Sequence, residues 1–199
     1  MSQFRLVFAS ALLALTCAAA PALAQEPAAP PGQIQDAVGG VDLAAFIPVG
    51  DLGDFYNLGF GGFVRYERKL QPNFAWTGRI GYLRGIAKES TLQFGTSSTT
   101  ISSALDNITL RLGGVYRLSG QPNGLFLSGE LGANLLSGRV TSGTTSTTGD
   151  TKAKFGAGVG AGFRTGALSF RVALDLLDLT EAAKTMGALV SVGWDLKAL

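Results

Sequence analysis

The groups with chemistry to offer in this chain are carboxylates, guanidiniums and amines. It holds 14 Asp and Glu, 16 Lys and Arg, one Cys and no His. Without imidazole, no His can stand beside a Ser or Asp as general base. A carboxylate-only site needs paired acids in a cleft, and Glu67 and Glu130 are better read as partners for arginines. With His absent and Cys17 alone, no metal-ligating spacing exists. The run GAGVGAG at 156–162 lacks the strand–turn–helix setting and the GKS or GKT ending of a phosphate loop. No catalytic, cofactor-binding or metal-binding residue is therefore assigned. A net charge of +2 offers no field for a polyanion, so nucleic acid is not expected as a partner. The charges that stand out are Arg65, Glu67, Arg79, Arg111, Glu130, Arg171 and Asp175. They read as a structural charge network.

The elements that must position them show a period of two. Apolar residues alternate with polar ones over 41–47, 58–66, 74–82, 108–118, 125–135, 153–163, 168–176 and 188–196. The apolar face of these eight segments carries no charge in a chain that is 15% charged. The other face holds all the network residues together with Asp42, Arg117, Lys154, Arg164 and Asp195, set among Gly, Ser, Thr and Asn. Connections alternate in length: 71–73, 119–124 and 166–167 are short, whereas 48–57, 86–105, 138–151 and 178–186 are long. That pattern predicts an all-β fold, an eight-stranded antiparallel up-and-down transmembrane β-barrel. Turn length then sets register. Leu70 should face Phe74, placing Arg79 diagonal to Glu67. Leu118 should face Leu125, placing Arg111 diagonal to Glu130. Thr165 should face Leu168, placing Arg171 beside Gly162 and Asp175 beside Gly158.

Alternation alone leaves open which face is inside. In a soluble barrel the apolar face would line the interior; in a membrane barrel it faces lipid. Three features favour the membrane. The longer segments match a tilted span of about 9–11 residues rather than a typical strand. Aromatics such as Tyr66, Phe74, Trp76, Tyr116, Phe163, Phe170 and Trp194 gather near the short-turn ends, as in an interfacial girdle. The polar face is mostly small residues, suited to filling a narrow lumen. Residues 1–24, MSQFRLVFASALLALTCAAAPALA, read as a cleaved signal peptide: Arg5 supplies the charge, Leu6 to Thr16 the apolar stretch and Ala22-Leu23-Ala24 the cleavage box. Residues 25–37 read as a flexible periplasmic leader and 38–199 as the barrel domain. With the N-terminus in the periplasm, the four long connections are external. Two of them, TSSTTISSA at 96–104 and TSGTTSTTGDT at 141–151, suit either binding or solvated hairpin tips.

With its leader, alternating strands, loop asymmetry and pieces such as GFGGFVRYERKL (59–70) and ALVSVGWDLKAL (188–199), the chain resembles the small eight-stranded outer-membrane barrel family. This is the class of the OmpA transmembrane domain, OmpX and OmpW. The resemblance covers about residues 38–199. It implies location in the outer membrane, with outer-membrane lipid and the barrel-assembly machinery as partners and a monomeric barrel. Family members usually end in an aromatic read by the insertion machinery, whereas Trp194 is the last aromatic here and the chain ends in Leu199. The function expected is a non-enzymatic structural or surface-interaction role through four external loops; no external ligand is assigned. The alternatives are a transporter or narrow pore for small solutes or hydrophobic compounds, and a soluble lipid-binding barrel of the periplasm.

Overall fold

A computed structural model describes residues 37–94, 97–142 and 145–196. The expected signal peptide and nearly all of the expected leader lie outside the described residues. The strands are β1 (Ala37–Pro48), β2 (Tyr56–Gln71), β3 (Phe74–Phe94), β4 (Ser97–Arg117), β5 (Gly124–Ser142), β6 (Thr145–Thr148), β7 (Lys152–Thr165), β8 (Leu168–Leu176) and β9 (Met186–Leu196). A short helix, α1 (Asp51–Phe55), joins β1 to β2, and a 3-10 segment (Leu179–Lys184) joins β8 to β9. Neighbours pair antiparallel in the order β1-β2-β3-β4-β5-β7-β8-β9, and β9 pairs back onto β1 from Gly39↔Leu196 to Pro48↔Gly187. Eight strands thus close on themselves, leaving no open edge in the barrel. Strand β6 lies outside this ring and only lengthens the hairpin of β5.

Registers follow the turns. The two-residue turn Gly166-Ala167 sets Thr165↔Leu168, Gly162↔Arg171 and Gly158↔Asp175. Gly166 has φ of 57°, in the left-handed region that a tight hairpin needs and that glycine enters without strain. Arg111 faces Gly132, as its turn length requires, and Arg65 faces Arg79. The β2–β3 turn is tighter than expected: Gln71, not Leu70, faces Phe74, and a register shift between Lys69 and Gln71 absorbs the difference.

The alternation puts apolar side chains outside. Leu43 is 77% exposed, and Leu112, Phe155 and Trp194 all exceed half. Water would oppose so continuous an apolar belt, whereas hydrocarbon accepts it. Tyr66, Phe74, Trp76, Tyr116, Phe170 and Trp194 are exposed toward the short-turn end, with Tyr66 and Trp76 edge to face at 5.7 Å between ring centroids. Inside, the order of solvents is inverted: charged and hydroxyl side chains are buried. Apolar layers close the ends, with Ala75, Val115 and Phe126 toward the short turns and Phe46, Leu83, Leu177 and Leu189 toward the long connections.

Two long connections are strands rather than irregular loops. β3 and β4 stay paired up to Phe94↔Ser97, β4 and β5 up to Ile101↔Ser142, and β5 and β6 from Arg139↔Thr148 to Ser142↔Thr145. β3 and β4 have 21 residues each, against 9 in β8. One wall of the barrel therefore continues past the rim as a four-stranded sheet.

Candidate functional site

The lumen is the place where this fold gathers reactive groups. Inward positions of all eight barrel strands converge there, because every second residue must point to the axis of a closed eight-stranded sheet. Near the short turns, Glu67 of β2 is 2% exposed and sits among three arginines. Arg164 of β7 donates to both its oxygens, at 2.7 and 3.2 Å. Arg117 of β4 donates to Oε1, and Arg65 of β2 donates to Oε2 at 3.3 Å. Arg65 also reaches Asp42 of β1 at 3.3 Å and Asp195 of β9 at 2.5 Å.

The chain of pairs runs on along the axis. Asp42 lies 3.1 Å from Arg79 of β3, which donates to Glu130 of β5 at 3.3 Å. The other oxygen of Glu130 accepts from Arg171 of β8 at 2.7 Å. Beside them Arg111 of β4 donates to Asp175 of β8 at 2.8 Å, to Asn134 at 3.2 Å and to Thr109 at 3.1 Å. Asn134, fully buried, donates to the Leu177 carbonyl at 2.6 Å. At the long-loop rim, Lys154 meets Asp178 at 2.6 Å. The Arg79 guanidinium also stacks over Phe63, 4.2 Å from the ring centroid.

Glycines make the room. A Cβ at Gly40 would stand 2.8 Å from Arg65 Nη2, and one at Gly156 would stand 3.0 Å from Arg111 Nη2 and strike Asn134. Long side chains thereby lie flat across strands that present only backbone. Two small cavities lie beside these groups. A cavity of about 10 Å³ lies among Arg79, Arg111, Glu130, Arg171 and Asp175, and one of about 20 Å³ lies under α1 among Phe46, Tyr56, Leu83 and Leu177. Each is near the size of a single water molecule. Among the described residues no group of His, Cys, Asp or Glu is arranged to hold a metal ion.

Arg65, Glu67, Arg79, Arg111, Glu130, Arg171 and Asp175 are thus all brought into one lumen. The diagonal pairs expected from the hairpins are not the ones made. Arg111 turns to Asp175, Glu130 takes Arg79 and Arg171, and Glu67 takes Arg65, Arg117 and Arg164. A guanidinium on a three-carbon stem is long enough to reach across a narrow lumen as well as along its own wall. Asp42, Arg117, Arg164 and Asp195 join the network although only their inward parity had marked them. Desolvating charges costs several kcal/mol per ion, about balanced only when each is paired and hydrogen-bonded. The arrangement can therefore fill and brace the lumen.

A closed barrel with an apolar exterior and a charged interior has known relatives. Residues 10–195 match the family model described as outer membrane protein beta-barrel domain. Among solved structures, Ail, the attachment invasion locus protein of Yersinia pestis, superposes with a TM-score of 0.51 at 14% identity, over 80% of this chain and 97% of that one. Neisserial surface protein A gives 0.47 at 11% identity, over 82% and 98%. At such identity the Ail likeness bears on the fold alone. No curated protein sequence matches the chain. With its family model matched over nearly its whole length, the chain belongs to the outer membrane beta-barrel family, and its place is the cell outer membrane.

Proposed function

We propose that this protein is a plugged, non-enzymatic barrel that works as a structural and surface-interaction protein, presenting its four long connections to the cell exterior. The carrying observation is the wall of β3, β4, β5 and β6 that rises past the rim as a sheet rich in Ser and Thr. Such a surface is well solvated and offers hydroxyl donors and acceptors to a partner. Outer-membrane barrels keep short turns in the periplasm and long loops outside, which assigns this sheet to the exterior. The ion pairs that cross the lumen favour a closed interior over a diffusion path. Residues 1–24 direct export and are cleaved, and the barrel-assembly machinery inserts a monomer whose strands need no partner chain to complete their pairing.

Two measurements test this reading. A single cysteine in β6, Thr147→Cys, should react with a membrane-impermeant maleimide on intact cells, whereas Asn123→Cys in a short turn should react only after lysis. The reverse pattern contradicts the orientation. In planar bilayers the purified barrel should show no steady conductance; a stable open channel would favour the small-solute transporter instead.

A further inference from the structure

The outward face carries one cluster that the lumen does not explain. Arg84 of β3 faces Asp106 of β4 across the ladder, two rungs beyond the belt residues Tyr82 and Ile108 and so next to them on the same face. Arg139 of β5 approaches the same carboxylate from the other side. The contacts are loose, 3.9 Å from Arg84 Nε and 4.0 Å from Arg139 Nη2, beyond hydrogen-bonding range. The Asp106 carboxylate is instead taken by the Tyr82 hydroxyl, which donates to it. Side chains of Arg84 and Arg139 are 53% and 41% exposed, against 19% for Asp106. Two cations thus flank one anion, one of whose oxygens already accepts from Tyr82, leaving an excess of one positive charge and guanidinium edges that no hydrogen bond to Asp106 engages. The cluster stands directly above a slope of apolar side chains, Tyr82, Ile108 and Leu135, all exposed.

We propose that Arg84 and Arg139 form a site for the phosphate of a membrane lipid in the leaflet at the long-loop end. Lipid acyl chains lie along Tyr82, Ile108 and Leu135, which puts the top of the belt at the depth where hydrocarbon gives way to headgroups. A guanidinium offers a fork of donors matched to phosphate oxygens. A lipid phosphate therefore supplies the counter-charge that Asp106 alone does not. The acyl chains of the same lipid are held by the belt, so the headgroup arrives at high local concentration. This site concerns the lipid-facing wall and stands apart from the surface-interaction reading of the loops.

The test uses the full barrel in phosphatidylcholine vesicles, with a fluorophore on Ile108→Cys. Quenching is compared between phosphatidic acid and phosphatidylcholine, each spin-labelled at the top of its acyl chain. Each arginine should favour phosphatidic acid by about fivefold. Arg84→Gln with Arg139→Gln should bring the quenching ratio close to one, and Asp106→Asn, which keeps both arginines, should raise it. A heat-modifiable gel shift reports that each variant is folded. If the double variant does not fold, Asp106→Asn alone decides. An unchanged ratio in the double variant overturns the proposal, as does a fall or no change in Asp106→Asn. Loss of the preference when inorganic phosphate matches the lipid phosphate concentration would mean a free anion is taken, and would overturn the assignment to lipid.

Discussion

Arg111 and Asp175 join across the lumen at 2.8 Å, from strands β4 and β8 that are not neighbours in the sheet. The pair ties together strands three places apart in the ring, and Asn134 and Thr109 hold the rest of the guanidinium. Removing one partner strands a buried charge. Asp175→Asn should lower unfolding free energy in lipid vesicles by about 3–5 kcal/mol. Adding Arg111→Gln should restore part of that loss, which a double-mutant cycle measures directly.

Glu130 and Ser128 are both inward residues of β5, yet they differ in what depends on them. Glu130 receives Arg79 and Arg171, whereas the Ser128 hydroxyl only donates to the Gly160 carbonyl at 3.4 Å. Glu130→Ala should cost about 3–5 kcal/mol because two guanidiniums lose their carboxylate. Ser128→Ala should cost about 1 kcal/mol or less. Urea midpoints in vesicles separate the two, and equal midpoints would remove Glu130 from the bracing role.

Glycines facing the lumen are there for space. A Cβ at Gly156 would meet the Asn134 amide, the Leu176 carbonyl and Arg111, whereas one at the outward Gly129 meets nothing within 4 Å. Gly156→Ala should destabilise the barrel by about 1–3 kcal/mol through overpacking. Gly129→Ala should be neutral or slightly stabilising. Thermal migration shifts on gels give the comparison.

The long-loop connection before β9 is pH-sensitive. Asp178 accepts from Thr180 and pairs with Lys154 at 2.6 Å, and the Lys154 hydrogen bond, followed by that of Thr180, pulls its carboxyl down to about 2 from 3.8. A depressed folded pKa contributes stability that is present above the unfolded value and fades as pH falls through the folded one. The 3-10 segment Leu179–Lys184 should stay protected from hydrogen exchange above about pH 4 and open between about pH 4 and 2. Asp178→Asn should open it at neutral pH. Protection that is flat from neutral pH down to 2 would contradict the role of this carboxylate.

Strand registers were legible because parity fixed them, with turn length agreeing at 119–124 and 166–167 and a bulge at Lys69/Gln71 restoring the expected register after the tighter β2–β3 turn. Arg65↔Arg79, Arg111↔Gly132 and Gly162↔Arg171 all lie in the expected register, since a one-residue slip would turn an apolar face into the lumen. Side-chain partners were not legible. Arg111 finds Asp175, 64 residues away in sequence, because closure of β9 onto β1 and the tilt of the strands decide which walls face each other. No single hairpin carries that information. The same holds for Asp42, which is shared by Arg65 and Arg79 only once the ring is closed. The rising sheet was read as long connections because Ser- and Thr-rich stretches such as 97–103 lack the apolar alternation that marks a half-buried strand.

The central claim is that the apolar face meets lipid and the charged face meets the lumen, and β4 tests it most directly. Single cysteines at positions 110 to 115 would be scanned with a lipid-resident quencher and, separately, a water-soluble maleimide in intact, detergent-free membranes. Leu110, Leu112 and Gly114 point outward, while Arg111, Gly113 and Val115 point inward. Quenching should appear at Leu110→Cys, Leu112→Cys and Gly114→Cys and be absent at the three alternate positions. Maleimide labelling of Leu110→Cys and Leu112→Cys in those membranes would contradict the account.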